Sequence, residues 1–564
     1  MTISYVSATS TENFINSIGI NTHIDFTSYS SQLSTVEADI NYLGVKNIRD
    51  SAESSADLGT NGLWQQVANA TGAKFDAYAA EGSVATMESS FNNALTLAGQ
   101  GIIKYIEGGN EEDQSYSESL GNSLATTAAF QQTVYAKAHA LGISVINMSF
   151  GTGWGSSSTG DYGTVGNLAA YTDYANDHVY FGTGNSPLAS IQALNSDAQL
   201  AANGETVINS EMGWYTTGST TDASAVSVTE QAKYMLDGLL DAYQAGDAKT
   251  FLYELMDEQS NSSNSEAHFG LFYADGSPKP AATALHNMIT LLSDSGTTAT
   301  SFTPDALSYS LSGTLSTDHT MLMEKSDGTY WLAIWNEARL SGPTSPTDIS
   351  VPNHIVTLSL ASAAGEVTVY DPMSGTSSVQ MASDTSSVSI SVPDHPILVE
   401  ISDISGTAAT TATATAATAV ATVAPDATQL NDIALLYEGA LGRSGSSAEL
   451  NYWGGIMAND VSAGDQAQGV LHSLGQVSGG FNGSMTIADG FLNSAEFQSK
   501  YGTLDNADFI TQIYENALHR APEAAGAQFY EHLLDTGTSR AVVLVAIAES
   551  PEAHQVHASL MTAS

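Results

Sequence analysis

The sequence predicts three folded parts: a (β/α)₈ (TIM) barrel of the α/β class, an antiparallel β-sandwich and a C-terminal all-α domain. Two changes of pattern support this prediction. Short apolar runs alternate with helical stretches over residues 1–297, and short alternating strands follow over residues 298–403. After an Ala/Thr-rich stretch at 404–428, the sequence has helical periodicity. Each period is typical of one architecture, so the changes of pattern mark the predicted domain boundaries.

Eight β-rich runs within residues 1–297 are the predicted barrel strands. They occupy 18–24, 45–50, 73–79, 102–107, 144–150, 178–181, 206–211 and 250–255. Helical stretches lie between them, and about 275 residues for eight strand–helix pairs is typical of a (β/α)₈ barrel. A doubly wound open sheet would instead need a glycine-rich phosphate-binding turn after its first strand, whereas this chain has Asn-Thr-His at 21–23.

Residues 298–403 predict a β-sandwich, and 404–428 a flexible linker. Alternating apolar and polar residues, separated by Gly, Asp and Pro, are typical of an antiparallel sandwich. Trp331 and Trp335 share one parity on such a run, so we expect both in the sandwich core. Residues 407–424 contain only Ala, Thr and Val, a composition too uniform to specify a packed core.

The C-terminal segment, 429–564, contains an internal repeat. The octapeptide LYEGALGR at 436–443 returns as IYENALHR at 513–520, and an aromatic pair follows each copy. The repeat resembles the domain of unknown function 4214, a small helical domain appended to many large exported bacterial proteins. This resemblance implies a separate helical module. We expect it to serve in attachment, secretion or surface retention, through contact with the cell surface or the secretion machinery.

The charge and composition argue against several classes of function. The chain has 14 Lys and Arg residues against 60 Asp and Glu residues, a formal net charge of −46. Nucleic acid is not expected as a partner, because phosphate binding requires clustered cations. The same negative field repels anionic membranes. The absence of cysteine excludes disulfides, thiolate metal sites and a cysteine nucleophile.

Secretion is predicted without a classical signal peptide. Residues 1–17 have neither a basic n-region nor an apolar h-region, and no run reaches the ~18 apolar residues of a membrane-spanning helix. Membrane insertion is therefore not predicted. The acidic, lysine-poor and cysteine-free composition indicates a bacterial protein that is exported by a route without a cleaved N-terminal signal.

Two glutamates follow predicted strands of the barrel. The fourth strand runs into Gly-Gly-Asn-Glu at 108–111, and the seventh ends at Glu211. Because active sites of (β/α)₈ barrels lie at the carboxyl ends of the strands, Glu111 and Glu211 should share one mouth. Glycoside hydrolysis requires one carboxylic acid to protonate the leaving oxygen and one carboxylate to attack or to activate water. The two glutamates meet that requirement.

The motifs around these glutamates resemble those of the clan A glycoside hydrolases, in particular families 39 and 5. Asn110 and Glu111 match the Asn-Glu pair after strand four, and Glu211 matches the glutamate that ends strand seven. The resemblance implies that Glu111 is the acid/base, that Glu211 is the nucleophile and that the reaction retains the anomeric configuration. It further implies that Asn110 binds the sugar 2-hydroxyl.

Other positions resemble the substrate-binding positions of that clan. They are Arg49 after strand two, His178 and Tyr180 as the His-x-Tyr pair of strand six, and His23 at the top of strand one. The expected aromatic platforms for sugar rings are Trp154, Trp214 and Tyr253. The chain departs from the clan at strand eight, which ends at Tyr253 where many members have a tryptophan.

Structural roles are the alternatives for some charged residues of the barrel. Arg49 could instead form an ion pair with Asp50 or Asp76. Glu107 and Glu254 are expected to have structural partners rather than to act in catalysis. No group of His, Asp and Glu residues has metal-ligand spacing in the sequence, so neither a metal nor a cofactor is expected.

The sequence therefore predicts a secreted glycoside hydrolase that cleaves a polysaccharide, either a bacterial exopolysaccharide or a plant-type glycan, by retaining double displacement. Two alternatives stay open. A polysaccharide-binding surface or adhesion protein would keep the barrel without turnover. A transglycosylase would form the same covalent intermediate but transfer it to a sugar instead of water.

Overall fold

The computed structural model describes two compact units, Met1–Ala409 and Thr410–Ser564. In the first unit, the described residues are 3–113, 123–151, 159–181, 187–216, 225–259, 264–342 and 345–404. In the second unit, they are 427–445, 450, 453, 487–492, 497, 500–502, 504–535, 539–548 and 550–557. Most of the predicted linker, 405–426, lies outside the described residues.

The strands are numbered in chain order. They are β1 (Ser4–Ser7), β2 (Thr9–Ser10), β3 (Ile18–Asn21), β4 (Asn47–Asp50), β5 (Lys74–Ala79), β6 (Ile103–Gly109), β7 (Ser144–Ile146), β8 (Ala175–Tyr180), β9 (Val207–Gly213), β10 (Lys249–Leu252), β11 (Ala306–Ser312), β12 (Asp318–Glu324), β13 (Tyr330–Asn336), β14 (Ser341–Gly342), β15 (Ser345–Asp348), β16 (His354–Tyr370), β17 (Ser378–Val392) and β18 (Ile397–Ile404).

The α-helices follow the same convention. They are α1 (Thr11–Ser17), α2 (Thr27–Ser30), α3 (Leu33–Leu43), α4 (Leu63–Thr71), α5 (Val84–Ala98), α6 (Leu124–His139), α7 (Thr159–Val165), α8 (Pro187–Ala202), α9 (Val228–Ala245), α10 (Pro280–Leu292), α11 (Ala427–Leu441), α12 (Ile487–Leu492), α13 (Asn506–Leu518), α14 (Ala524–Asp535), α15 (Arg540–Ala548) and α16 (Pro551–Val556).

Strands β3 to β10 form a parallel barrel. Their order is β7-β6-β5-β4-β3-β10-β9-β8, and a parallel bridge between Ile146 and Tyr174 joins the two ends of that order. The eight predicted strand runs overlap these eight strands, so the predicted (β/α)₈ barrel is confirmed. Because all eight strands are parallel, their carboxyl ends open on one side of the barrel.

Capping residues set the bounds of the helices that cover the barrel. Helix α9 begins after Ser227, whose hydroxyl accepts from the Glu230 N–H, while the Glu230 carboxylate accepts from the Ser227 N–H. It ends at Gly246, where a φ of 99° suits a residue without a side chain. Helix α10 has Pro280 in its first turn, where the missing N–H leaves no hydrogen bond unmade.

The second layer of the first unit is a β-sandwich, as predicted, and it is built from one continuous sheet. Strand β16 pairs with β11 through its first half and with β18 through its second half, so the sheet folds over a common core. Strand β1 pairs with β11 and β2 pairs with β12. Residues 4–10 of the chain therefore contribute to the sandwich sheet rather than to the barrel.

The sandwich packs directly on the barrel. Trp331 and Trp335 belong to the same buried cluster as Leu236 and Leu240 of helix α9. The indole N–H of Trp335 donates to Asp241 Oδ1 over 2.9 Å. The prediction that the two tryptophans form the sandwich core is wrong. They share one face of β13, as their parity requires, but that face covers the barrel helices.

The described part of the second unit consists of helices α11 to α16. Their apolar faces form one buried cluster that includes Leu436, Tyr437, Ile513 and Tyr514, which are corresponding positions of the internal repeat. Corresponding residues of the two copies thus pack into a common core. Among the described helices of the whole chain, none is both long and apolar enough to cross a lipid bilayer.

Candidate active site

The candidate site lies at the carboxyl ends of the barrel strands. Arg49 is on β4, Glu107 on β6, His178 on β8 and Glu211 on β9. All four side chains are buried. They meet because parallel strands end on the same side of the barrel, and together they form a dense network of charged and polar groups around the mouth.

Both oxygens of the Glu211 carboxylate accept hydrogen bonds. Arg49 Nη1 donates to Oε1 over 2.7 Å, and the Tyr180 hydroxyl donates to Oε2. Burial raises the pKa of Glu211, but the charges of His178 and Arg49 and the two hydrogen bonds outweigh burial, so its pKa lies below the ordinary value. Glu211 is therefore held as a carboxylate anion, which is the form that a nucleophile needs.

Glu111 lies opposite Glu211 at the mouth. It follows β6 with a positive φ of 49°, and its side chain is 20 % exposed. Its N–H donates to Ser149 Oγ. One carboxylate oxygen of Glu111 and one of Glu211 lie within 4.8 Å of each other. The two glutamates that the sequence singled out therefore lie side by side at the mouth of the barrel.

His178 connects the two glutamates. Its Nδ1 lies 2.6 Å from Glu111 Oε1 and 3.5 Å from Glu211 Oε2, and its Nε2 lies 3.0 Å from Ser210 Oγ. Burial lowers the pKa of His178, but the neighbouring charges of Glu211 and Glu111 raise it above the ordinary value. A proton on Nδ1 donates to Glu111 and fixes the direction of that side chain.

Arg49 has more partners in the structure than the sequence analysis expected. Its Nε and Nη2 donate to the two oxygens of Glu107, each over 2.8 Å, and its guanidinium lies 4.2 Å from the ring centre of Tyr78. The alternative of an ion pair with Asp50 is wrong, because the Asp50 carboxylate accepts from the Thr22 hydroxyl and the Ile24 N–H. Glu107 is thus a site residue that the sequence analysis missed.

The alternation of side chains along β6 could have identified Glu107 from the sequence. Glu107 points to the same side of the strand as Tyr105, which packs inside the barrel with Ile146 and Phe251. A buried arginine requires a buried carboxylate partner, and Glu107 is the inward acidic residue two positions after Tyr105. The sequence could therefore have predicted an ion pair between Arg49 and Glu107, because both side chains point into the barrel.

Asn110 lies beside the arginine. Its Oδ1 accepts from Arg49 Nη2 over 2.6 Å and from Ser149 Oγ over 3.4 Å. The amide oxygen is therefore used within the protein, which leaves the amide nitrogen as the donor for a ligand. This orientation agrees with the expected hydrogen bond to a sugar hydroxyl.

His23 and Tyr253 lie on the neighbouring wall of the mouth. His23 Nε2 is 3.1 Å from the Tyr253 hydroxyl, and the His23 ring stacks on Phe26 with centroids 4.6 Å apart. Burial lowers the pKa of His23 to about 4, so its imidazole is neutral near pH 7. The Tyr253 ring lies 6.1 Å from that of Tyr180 and forms an aromatic wall with Tyr180 and Phe269.

The other two expected aromatic platforms are not at this wall. Trp154 lies outside the described residues. Trp214 stacks against Phe181 with centroids 4.3 Å apart and against Tyr234 on the other side, and it is 5 % exposed. The expectation that Trp214 contacts sugar is wrong. Trp214 lies two residues after Met212, whose side chain points out of the barrel. Because alternate residues of a strand share a side, the Trp214 ring lies in the layer between the barrel and its helices.

Two further acidic residues near the mouth were not predicted as site residues. Burial and the charge of Glu258 raise the pKa of the fully buried Glu254 well above its ordinary value. Glu266 lies on the short 3₁₀ helix Ser265–His268. Burial and the charges of Glu211 and Glu111 raise its pKa to about 7. Glu254 falls within the predicted strand 250–255 and was expected to have a structural role, whereas Glu266 lies in a loop to which no strand-end pattern applies.

The C-terminal segment matches a family model. Residues 488–556 match the model described as Domain of unknown function (DUF4214). This match confirms the resemblance that the internal repeat indicated, over the range that it covers. A search of curated protein sequences finds no match to the chain.

Among solved structures, the chain is similar to a family 39 glycoside hydrolase from Bacteroides cellulosilyticus WH2, with 14 % identity, 70 % of this chain and 83 % of that chain covered, and a TM-score of 0.49. A GH39 enzyme from Xanthomonas axonopodis pv. citri has 12 % identity, 72 % and 97 % coverage and a TM-score of 0.47. A monomeric beta-xylosidase from Caulobacter crescentus CB15 has 10 % identity, 71 % and 98 % coverage and a TM-score of 0.48. At these values, the argument for function rests on the geometry of the site.

Proposed function

We propose that the chain is a retaining glycoside hydrolase that cleaves a polysaccharide. The observation that carries this proposal is the spacing of Glu111 and Glu211, whose nearest carboxylate oxygens lie within 4.8 Å. Carboxyl groups are about 5–5.5 Å apart in retaining enzymes and about 6.5–9.5 Å apart in inverting ones, and this close approach of one oxygen from each glutamate supports the retaining arrangement.

The first chemical step assigns different roles to the two carboxyl groups. Glu211, held ionised by Arg49 and Tyr180, attacks the anomeric carbon as the bond to the leaving oxygen breaks. Glu111 gives its proton to that oxygen, so the leaving group departs as an alcohol. The product of this step is a glycosyl ester of Glu211.

The second step releases the sugar. Glu111, now a carboxylate, takes a proton from water as the water oxygen attacks the anomeric carbon, and Glu211 leaves as a carboxylate. His178, 2.6 Å from Glu111, holds the acid/base in place through both steps. Two residues are the proposed contacts to the sugar. The amide nitrogen of Asn110 donates a hydrogen bond, and the Tyr253 ring packs against the sugar as part of the aromatic wall.

The cellular setting belongs to the same proposal. The acidic composition supports secretion of a bacterial enzyme towards an exopolysaccharide or plant-type glycan. The C-terminal helical domain would attach or retain the enzyme at the cell surface. The direct packing of the sandwich on the barrel supports a role in stabilising the barrel rather than an independent binding function.

Product profiling tests the proposed activity. The purified chain is incubated with a panel of plant and bacterial polysaccharides and the products are identified by mass spectrometry, with Glu211→Gln in parallel. Glu205→Gln, an exposed glutamate just before the same strand, is the matched control. We expect oligosaccharides from the wild type and the control, and a loss of about 10³-fold or more in Glu211→Gln.

Other outcomes distinguish the alternatives. Products longer than the substrate would indicate a transglycosylase. Binding without products, with unchanged affinity in Glu211→Gln, would indicate a polysaccharide-binding protein. Retention is tested separately with Glu111→Ala and an activated aryl glycoside in the presence of azide. A glycosyl azide of the substrate's own anomeric configuration is expected, and an inverted azide would contradict the assigned roles.

A further inference from the structure

A second cluster of ionisable side chains lies beside the catalytic pair. It consists of His23 after β3, and of Glu254 and Glu258 after β10. One donor atom from each of the three residues lies within 4.8 Å of those of the other two, and His23 Nε2 is 3.5 Å from Glu254 Oε2. The cluster thus joins the ends of the first and the last barrel strands, which are neighbours in the sheet.

Glu254 has an unsatisfied oxygen in this cluster. The residue is fully buried, and the Tyr29 hydroxyl lies 2.9 Å from its Oε2. Its Oε1 has no hydrogen-bond partner among the described residues. A buried carboxylate oxygen without a partner is costly, so Oε1 is an acceptor that a bound group would satisfy.

The catalytic cluster provides a comparison within the same protein. Glu111, His178 and Glu211 have the same donor spacing, but Arg49 and Tyr180 donate to Glu211 and neutralise or satisfy its oxygens. A metal ion bound there would add a second positive charge beside the Arg49 guanidinium. In the second cluster, Glu254 has the Tyr29 hydroxyl as a donor, but no described arginine or lysine makes an ion pair with its carboxylate.

No described lysine or arginine makes an ion pair with Glu254 or Glu258. Burial lowers the pKa of Lys279 while the charges of Asp257 and Glu254 raise it, but Lys279 Nζ is bonded to Asp257 Oδ1 over 2.7 Å and makes no ion pair with Glu254. Two carboxylates and an imidazole therefore face one another without a cation from the protein. A cation bound between these donors would be attracted to both carboxylates.

We propose that His23, Glu254 and Glu258 bind a divalent transition-metal ion. One imidazole and two carboxylates suit Mn²⁺ or Zn²⁺, because Ca²⁺ and Mg²⁺ prefer oxygen ligands alone. Ligands at about 2.0–2.2 Å from an ion lie roughly 3–4 Å from each other, so the donors need to move little to close on it. The Tyr253 hydroxyl, 3.1 Å from His23 Nε2, borders the site.

The ion would connect two segments that are far apart in the sequence. His23 belongs to the segment after the first barrel strand, and Glu258 to the segment after the eighth. The second segment also carries Glu266, whose pKa is raised by burial and by the charges of Glu211 and Glu111. The site contains neither Glu111 nor Glu211, so metal binding can be measured separately from the proposed hydrolysis.

Metal binding to the full chain tests this proposal without an activity assay. The protein is stripped with EDTA, dialysed, and titrated by calorimetry with MnCl₂, ZnCl₂ or CaCl₂ in a buffer with NaCl and excess Mg²⁺ to occupy unspecific acidic sites. We expect one saturable Mn²⁺ or Zn²⁺ per chain. Glu258→Gln and His23→Ala should each weaken that binding tenfold or more.

Glu266→Gln is the matched control, because it removes an ionisable carboxyl group from the same segment without removing a proposed ligand. It should retain the metal affinity of the wild type. Pulsed electron paramagnetic resonance of the Mn²⁺ complex should show nitrogen coupling that is lost in His23→Ala. Circular dichroism of each variant establishes that it is folded, and His23→Gln replaces His23→Ala if the latter is not.

Three results would overturn the proposal. They are the absence of saturable binding by the wild type, equal weakening in Glu266→Gln and Glu258→Gln, or a Mn²⁺ complex without nitrogen coupling. Saturable binding of a primary amine such as glucosamine, without metal binding, would assign the cluster to an ammonium group instead. The hydrolase proposal survives each of these results, since product profiling decides it separately.

Discussion

Arg49 Nη1 lies 2.7 Å from Glu211 Oε1, while Nε and Nη2 of the same guanidinium each lie 2.8 Å from an oxygen of Glu107. One buried cation thus balances two buried carboxylates on different strands. This relationship links the ionisation of the proposed nucleophile to the stability of the barrel, because neither carboxylate has another described cation of lysine or arginine within ion-pair distance.

Arg49→Ala should destabilise the protein strongly. Without the guanidinium, Glu107 and Glu211 stay buried without their cation, and breaking such a pair costs about 3–5 kcal/mol. Urea denaturation of unit one at pH 7 measures the change in the free energy of unfolding. Arg49→Lys keeps the charge but loses the forked geometry, so an intermediate value is expected. A loss below about 1 kcal/mol in Arg49→Ala would contradict this account.

Tyr180→Phe should shift the acid limb of the pH–activity profile. The hydroxyl stabilises the Glu211 carboxylate, so its removal raises the pKa of Glu211. Because Glu211 must be ionised to attack, kcat/KM should begin to fall at a higher pH in the variant than in the wild type. Tyr215→Phe, a change in the same aromatic wall, is the control and should leave the limb in place. Coinciding limbs for wild type and Tyr180→Phe would refute the role of this hydroxyl.

Asp39→Asn should remove a pH dependence of stability. Burial raises the pKa of Asp39 from 3.8 to about 7. Between these values the folded state holds a proton that the unfolded state has released, so stability falls as the pH rises from about 4 to about 7. Thermal and urea unfolding at pH 5 and pH 8 should show a gain for Asp39→Asn at pH 8 on the order of 1–2 kcal/mol, reduced by partial solvent screening.

The control for Asp39→Asn is Glu205→Gln, which alters an exposed carboxylate. Its stability difference from wild type should be the same at pH 5 and pH 8. If Asp39→Asn behaves like this control, the Asp39 carboxylate is ionised in the folded state and its burial does not govern the pH dependence.

Removal of all residues after 407 should leave hydrolysis of soluble polysaccharide unchanged within about twofold. The barrel and the sandwich form one compact unit, Met1–Ala409, with its own core, so the C-terminal helices are not required for its folding. The measurement compares initial rates and unfolding temperatures of the full and shortened chains. A large loss of rate on soluble substrate would assign the C-terminal domain a part in catalysis.

Much of the architecture could be predicted from local patterns. The eight barrel strands and the strand-rich second layer were recognisable because alternation with helices and alternation within strands reflect burial along a few residues. The positions of Glu111 and Glu211 followed from the same patterns, since a polar residue at a strand end of a parallel barrel faces the mouth. In the structure, one carboxylate oxygen of each glutamate lies within 4.8 Å of the other at that mouth, and their catalytic roles stay a prediction.

Other features depended on which layer of the structure a side chain packs against. Trp214 was expected at the sugar and lies under the helices, because its parity continues that of Met212 and not that of Glu211. Trp331 and Trp335 share a face, as predicted, but only the packing of the sandwich on the barrel decides that this face is the interface. The alternation of side chains depends only on neighbouring residues in the sequence, whereas the layer that packs against a given face depends on the tertiary structure.

The sequence by itself determined the order of barrel, sandwich and helical domain, the repeat in the last part and the two glutamates at strand ends. The tertiary structure decided that Arg49 serves Glu107 as well as Glu211, and that His23 meets Glu254 and Glu258. The physical reason is distance along the chain. Periodicity is set by burial over neighbouring residues, but ion pairs and ligand sets form between side chains that only closure of the barrel brings within a few ångströms.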